Sequence, residues 1–418
     1  MKLNYFILAL VFLPFFGQTQ VVRDIHFNGL TRTQPQFLES LIVTKKGDQF
    51  KEDQWEKDVQ LILNLGFFFQ ADWTKEEVAP DTIALNVELK EAFSLFPILD
   101  FAAMQGNFRL QLGANQINWL GRGYTLGGFY QYYQRHGFRI YQLAPRHLNG
   151  KTGHELLIGK VSTIEPMYFG EENSDFNYDN SSVYGAINYW FDPYQKTSLG
   201  VGGFFERYEN TQMRIADLDS GSVFTMYKFQ LRLMHEIRKL NLHQERVEGY
   251  YFQGLLERIE TMDHPEISYS RLSSQFKGFL RVGTKGNLAC NVKAGIATNN
   301  ETPFVPFVLD SYINVRGIGN RVARGTAELT ANLEFRQTIW TNSWFYLQAN
   351  FFTDFGALRP PGAELNEMFH PDHYDYFSGI GLRVHTRKLW NSVIRFDYGF
   401  QLENSGRSGY VFGIKQYF

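Results

Sequence analysis

Three carboxylates in the last quarter of the chain stand where they could gather around one cation. From Ala327 to Arg336 the even positions are Glu328, Thr330, Asn332, Glu334 and Arg336, and the odd ones are Ala327, Leu329, Ala331, Leu333 and Phe335. Val393 to Leu402 alternates in the same way, with Val393, Arg395, Asp397, Gly399 and Gln401 set against Ile394, Phe396, Tyr398, Phe400 and Leu402. Asp354 has the parity of Gln348 and Asn350. An extended chain sends successive side chains to opposite faces. Glu334, Asp354 and Asp397 are therefore expected on the polar face, and a guanidinium set among them would make charge-assisted, bidentate hydrogen bonds. Such chemistry either holds a segment in place or, as in a porin, merely solvates a water-filled pore; it does not turn a substrate over.

Other chemistry is sparse. His370, Asp372, His373 and Asp375 could ligate a metal, but they lie in a polar, proline-containing stretch beside Tyr374 and Tyr376, so no metal role is expected. His136, His147 and His154 read as solvated loop residues. No G-x-S-x-G elbow occurs and no Ser is paired with a His, so a hydrolase is not expected. Gly121-Arg122-Gly123 is followed by no helix start, which excludes a phosphate loop. Cys290 is the only cysteine, excluding an internal disulfide framework and any cysteine-based metal site. A net charge of −2 offers phosphates no attractive field, so nucleic acid is not an expected partner. The reading is a protein that is not an enzyme and needs no cofactor.

The elements that would position the carboxylates come from two regions of different period. Aromatic residues make up 17% of the 418 residues, with 23 Tyr and 39 Phe beside 37 Gly, and charged residues only 20%. That balance suits tall half-polar strands with aromatic girdles better than a compact soluble enzyme. Lys2 is followed by an apolar run from Tyr5 to Phe16 and then Gly17-Gln18-Thr19-Gln20, which reads as a secretory signal peptide over residues 1–19. The run is short of the roughly 20 residues that a spanning helix needs.

Residues 20–91 read as a small β-α-α-β-β domain. Val22 to Phe27 forms a strand turned by Asn28-Gly29. Pro35 opens a short helix with Leu38, Leu41 and Ile42 on one face, and a second helix carries Trp55, Val59, Ile62 and Leu63 as its stripe until Gly66. Phe67 to Trp73 and Ile83 to Leu89 then alternate as strands, leaving sheet edges free to pair with an extended segment of another chain.

From residue 92 to 418 the helical period is replaced by alternation. Tyr376 to Val384 sets Gly379, Gly381 and Arg383 against Ile380, Leu382 and Val384, and Tyr227 to Leu233 sets Lys228, Gln230 and Arg232 against large apolar residues. A large apolar outer face fits lipid, and strands can cross lipid only as a closed barrel. The length allows about 14 to 18 strands. Long loops are expected at 165–180, 207–221, 301–322 and 358–375, and a short hinge at Phe93 to Pro97.

Residues 20–91 resemble a POTRA domain through V-x-x-I-x-F-x-G-L within Val21 to Leu30, K-x-G-D-x-F at Lys45 to Phe50, and N-L-G-F-F at Asn64 to Phe68. The remainder resembles the sixteen-stranded barrel of the BamA/TamA superfamily of outer-membrane insertases and translocases. Four motifs carry this: Asn118-Trp119-Leu120-Gly121-Arg122-Gly123, Val315-Arg316-Gly317, Phe351 to Gly356 as F-x-x-D-x-G, and Arg395 to Gly399 as R-F-D-x-G. Tyr410, Phe412, Ile414 and Phe418 resemble the aromatic C-terminal signal of outer-membrane barrels.

The resemblance implies that the sixth loop folds into the lumen, where Arg316 and Gly317 at its tip meet Glu334, Asp354 and Asp397. Ile318 replaces the family's usual aromatic, which predicts looser packing of the tip. The resemblance also implies a seam between the last strand, Tyr410 to Phe418, and the first, around Leu95 to Phe101, that opens to accept a client strand, with Gly413 weakening it. The expected place is the bacterial outer membrane with the N-terminal domain in the periplasm. Expected partners are the lipid bilayer, unfolded outer-membrane or secreted polypeptides, and partner subunits held by the POTRA-like domain. The alternative is a passive channel or structural subunit of a larger outer-membrane complex.

Overall fold

The structure is a computed structural model, and it describes residues 20–104, 107–169, 172–211, 219–243, 245–299, 304–319, 323–386, 393–402 and 406–418. The expected signal peptide lies outside the described residues.

The N-terminal domain runs β1 (Val21–Asn28), α1 (Pro35–Leu41), α2 (Glu52–Leu63), β2 (Phe68–Ala79) and β3 (Thr82–Glu91). Pro35 sits at the first turn of α1, where its missing N–H costs nothing. Strand β3 is central, parallel to β1 and antiparallel to β2. A parallel pair needs a crossover, and the two helices supply it. Their buried faces, Phe37, Leu38 and Leu41 from α1 and Trp55, Val59 and Ile62 from α2, close over Val22, Ile83, Leu85 and Val87 of the sheet. One carboxylate enters this core: Asp58 of α2 is fully buried and accepts the backbone N–H groups of Val43 and Thr44 at 2.9 and 2.8 Å, fixing the chain between the helices.

The rest of the chain forms one antiparallel sheet of sixteen strands, each bonded to the next, from Leu95–Met104 to Ser408–Ile414. A single excursion interrupts it between the strands Gly286–Ala297 and Ala327–Thr341, and within it Phe307–Leu309 pairs with Ala323–Gly325. Large side chains such as Leu199, Tyr227, Leu333, Phe351, Ile380 and Phe396 stand exposed on the outer face. Lys228, Glu334, Asp354, Arg383 and Asp397 are buried on the inner one. No helix among the described residues is long and apolar enough to cross a membrane, which says nothing of a β-barrel.

Two expectations need correction. Residues 165–169 and 172–180 are strand rather than loop: Glu165 pairs with Phe176 and the ladder of Thr152–Phe169 with Glu172–Trp190 continues to Phe169 opposite Glu172. The Asn and Asp content that suggested a loop is compatible with strands extended past the lipid, where the outer face need not be apolar. Ile318 is buried, at 6% exposure, among Phe307, Leu309, Val315, Leu358 and Phe377, so the tip is firmly packed without an aromatic.

The N-terminal domain is docked against the near end of the barrel, the end from which the first barrel strand departs. Asn118 donates to Thr33 Oγ1 at 2.7 Å, the Gln34 N–H donates to the Gly121 carbonyl at 2.8 Å, and the Gln34 side chain donates to the Leu120 carbonyl at 2.9 Å. Asn64, at the end of α2, donates to the Leu240 carbonyl at 2.6 Å and accepts from the Leu242 N–H at 3.0 Å. Gly121 has φ +68 and no room for a Cβ, which would fall 2.1 Å from the Arg32 carbonyl oxygen.

Glu91 organises the domain's side of this joint. It accepts the N–H groups of Thr31, Arg32 and Thr33 at 3.3, 3.2 and 2.8 Å, and the Arg32 guanidinium at 3.1 Å. Burial pushes its carboxyl up, but the bonds from Thr33, Thr31 and Arg32 outweigh that and hold it down at about 2.

Candidate functional site

The excursion between the strands Gly286–Ala297 and Ala327–Thr341 enters the lumen and carries Arg316 at its tip. Local bonds close the tip into a rigid turn. The Ser311 N–H donates to the Gly319 carbonyl at 2.7 Å, the Gly319 N–H to Ser311 Oγ at 2.7 Å, and Asn314 to the Val308 carbonyl at 2.7 Å. Gly317, at φ +92, lies against the wall: a Cβ there would meet the Gly399 carbonyl oxygen at 2.7 Å, and one on Gly399 would meet the Arg316 carbonyl oxygen at 2.3 Å. Both positions need glycine for the loop to approach this closely.

Arg316 is 0% exposed. Its Nε and Nη2 donate to the two oxygens of Asp354 at 2.8 and 2.9 Å, its backbone N–H donates to Asp354 at 2.9 Å, and Nη1 donates to Glu334. Asp397 stands 3.9 Å from Nη1. The rings of Phe352 and Tyr417 lie 3.6 and 4.3 Å from the guanidinium carbon. Buried charges require partners of this quality, because desolvation otherwise exceeds the Coulomb gain.

The same carboxylates hold three further guanidiniums. Arg383 donates to Asp397 at 2.7 Å, Arg336 to Glu334 at 2.8 Å, and Arg395 to Asp397 at 3.4 Å. Asn332 donates to Asp354 at 2.8 Å and to the Asn314 carbonyl at 2.6 Å, joining wall to loop. Gly381 leaves space for the lattice, since a Cβ there would meet Asp397 Oδ1 at 2.1 Å. The structure thus brings Arg316, Gly317, Glu334, Asp354 and Asp397 to one place. It adds Arg336, Arg383 and Arg395, which strand parity puts on the same face, and Phe352 and Tyr417, which nothing in the sequence singles out.

The limbs of the excursion reach the opposite wall. Phe304 lies 3.6 Å from the Lys228 ammonium, which is paired with Glu206 at 2.6 Å, and Arg324 pairs with Glu165. These anchors link residues as much as 159 positions apart, and no spacing pattern announces them.

The residues expected at the seam divide. Tyr410, Phe412 and Ile414 stand on the outer face of the last strand, at 72%, 58% and 64% exposure. Gly413 lies opposite Arg395, where a Cβ would fall 2.6 Å from Arg395 Nε, so its smallness admits that side chain. Phe418 does not share their face. Lys415 adopts φ +84, the chain leaves the wall, and the Phe418 ring comes to 5.2 Å from the Arg336 guanidinium carbon. The first and last strands, Leu95–Met104 and Ser408–Ile414, form no ladder with each other among the described residues. His147 and His154 also depart from expectation, stacking with ring centroids 5.0 Å apart beside Tyr124 rather than lying separately in solvent.

Comparison with known proteins agrees with this architecture. Residues 20–92 match the family described as POTRA, surface antigen variable number repeat. No curated protein matches the chain. Among solved structures, BamA from Haemophilus ducreyi lacking POTRA domains 1–3 aligns at 14% identity with a TM-score of 0.55, covering 95% of this chain and 83% of that one. CdiB from Acinetobacter baumannii aligns at 13% identity and TM-score 0.59, over 95% and 73% of the two chains. CdiB from Escherichia coli aligns at 11% identity and TM-score 0.63, over 94% and 75%. At these identities the likeness is one of fold. The described chain joins a domain that matches POTRA to a sixteen-stranded sheet, with the fold it shares with these BamA and CdiB structures.

Proposed function

We propose that this chain works in a bacterial outer membrane, with its POTRA domain in the periplasm. There it assists the insertion of outer-membrane proteins or the passage of a polypeptide, without catalysis of its own. One observation carries the reading: the barrel sheet ends in two strands that form no ladder with each other among the described residues. Unpaired backbone is costly in lipid, and an edge strand is a template for another strand. A client segment can satisfy both edges by β-augmentation. The Arg316 lattice supports the same reading, because a loop tied into the lumen directs traffic to the seam. The POTRA domain's own edge strands, β1 and β2, offer a second place for clients or partner subunits.

The test has two arms. A disulfide engineered between the first strand near Leu99 and the last near Phe412 should stop client assembly until it is reduced; growth and assembly unaffected by closure would remove the gate. Depletion followed by outer-membrane proteomics separates the roles. Broad loss of barrels marks an insertase and loss of one exported protein a dedicated translocator. No loss replaces both with a passive channel or structural subunit.

A further inference from the structure

At the near end of the lumen, between the ion lattice and the POTRA domain, lies a cavity of about 500 Å³. That is within the range of about 300–1,000 Å³ typical of ligand sites. Its wall is strongly basic. Arg238, Arg246, Lys277, Arg336 and Lys415 line it, against one side-chain carboxylate, Glu245. Arg336 and Arg246 are already engaged, with Glu334 and Glu248, each at 2.8 Å. Arg238, Lys277 and Lys415 form no ion pair among the described residues. Cations gathered around one cavity without counterions favour an anionic occupant.

The cations come from separate elements of the wall. Arg238 is on the strand Val223–Leu242, Lys277 on Tyr269–Val282, Arg336 on Ala327–Thr341, and Lys415 follows the last strand. Aromatic side chains lie between them: Lys277 stands 5.6 Å from the Tyr251 ring, and Arg336 stands 5.9 Å from the Phe279 ring. Phe418 also lines the cavity, with its ring 5.2 Å from the Arg336 guanidinium carbon and its carbonyl oxygen accepting from Arg336 Nη2 at 3.3 Å. Phe69 of β2 brings the POTRA domain to the same space.

We propose that this vestibule binds acidic polypeptide segments in which carboxylates neighbour aromatic or apolar side chains. The inference rests on the polypeptide-handling reading above and names the class of segment received. The carboxylates neutralise half-buried Lys277 and the exposed Arg238 and Lys415 around it, and the rings of Tyr251 and Phe279 cover the apolar part. A segment leaving the POTRA domain past Phe69 enters this space before it reaches the lattice around Arg316.

The test uses the full chain in detergent micelles or nanodiscs. Two peptides of equal length and aromatic content, one Glu-rich and one Lys-rich, each carrying an uncharged dye, are titrated by fluorescence anisotropy. The Glu-rich peptide should bind at least about tenfold more tightly, a factor that one or two desolvated charge pairs supply. Its advantage should shrink as salt rises. The double substitution Arg238→Gln with Lys277→Gln should abolish most of the preference while the barrel keeps its folded, heat-modifiable migration. Lys277→Gln alone should remove part of it, and this arm decides the matter if the double variant does not fold. Equal affinity for the two peptides overturns the proposal, as does an undiminished preference in the variants. Displacement of the Glu-rich peptide by inorganic phosphate at equal concentration would also overturn it, in favour of a simple anion site. These readouts involve neither growth nor client assembly, so a failed seam test and a failed vestibule test are told apart.

Discussion

The POTRA core and the barrel lumen are the two places where this chain excludes water, and they are built of opposite materials. In the POTRA domain, sixteen buried hydrophobic residues pack over a three-stranded sheet, and Asp58 is the one wholly covered charge, spent on backbone N–H groups. In the lumen, Arg316, Arg383, Glu334, Asp354 and Asp397 are all at 0% exposure. Apolar contacts are non-directional and tolerate substitution at constant volume. An ion lattice is stoichiometric: each guanidinium has assigned oxygens, and removing one leaves the others buried and unmatched.

The largest expected effect comes from attacking the lattice. Arg316→Ala leaves Asp354 and Glu334 without their shared cation and should cost about 3–5 kcal/mol locally. Limited proteolysis within residues 304–319 should accelerate while the barrel still migrates as folded. Arg316→Lys should fail almost as badly, because an ammonium cannot reproduce the two-pronged contact with Asp354. A protected loop in either variant would end the distinction drawn here.

Next comes the apolar side of the contrast. Leu38→Ala should destabilise the POTRA domain by about 2–5 kcal/mol, whereas Leu38→Met should cost less than about 1.5. Hydrogen exchange of the β3 amides would measure both, and equal losses would mean that the two cores are alike in tolerance.

The joint between the regions should be weaker than either. Asn118→Ala removes the bond to the Thr33 hydroxyl and should cost about 1–2 kcal/mol. The amide of Gln34, bonded to Gly121, should exchange faster with the POTRA core unchanged. The smallest effect is one of pH. Glu91 is depressed from 4.5 to about 2, so its contribution is fully present above the ordinary value and is lost as pH falls from about 4.5 through about 2. Exchange at Thr31 to Thr33 should rise across that window, and Glu91→Gln should abolish the dependence.

Strand parity made much of this legible. Period two alone places Glu334, Asp354, Asp397 and their companion arginines inward, because in a barrel every second residue has no other destination. The POTRA helices were equally plain, since Leu38, Leu41, Trp55 and Val59 repeat at helical spacing. What escaped was set by single dihedrals or by distance in sequence. Parity carries Phe418 outward with Ile414, but the positive φ at Lys415 resets it and turns Tyr417 and Phe418 inward. Asn64 and Asn118 stand in recognisable motifs, yet their partners Leu240 and Thr33 lie 176 and 85 positions away, and no local signal reports such contacts.

The place of Tyr417 bears on how the lattice is enclosed. The contacts of Arg316 in the lattice come from Glu334, Phe352, Asp354, Asp397 and Tyr417, all on the barrel side of the chain. The POTRA domain, by contrast, is complete by Glu91. Removing the Tyr417 ring would leave the POTRA domain untouched and strip the Arg316 guanidinium of one of its two aromatic covers.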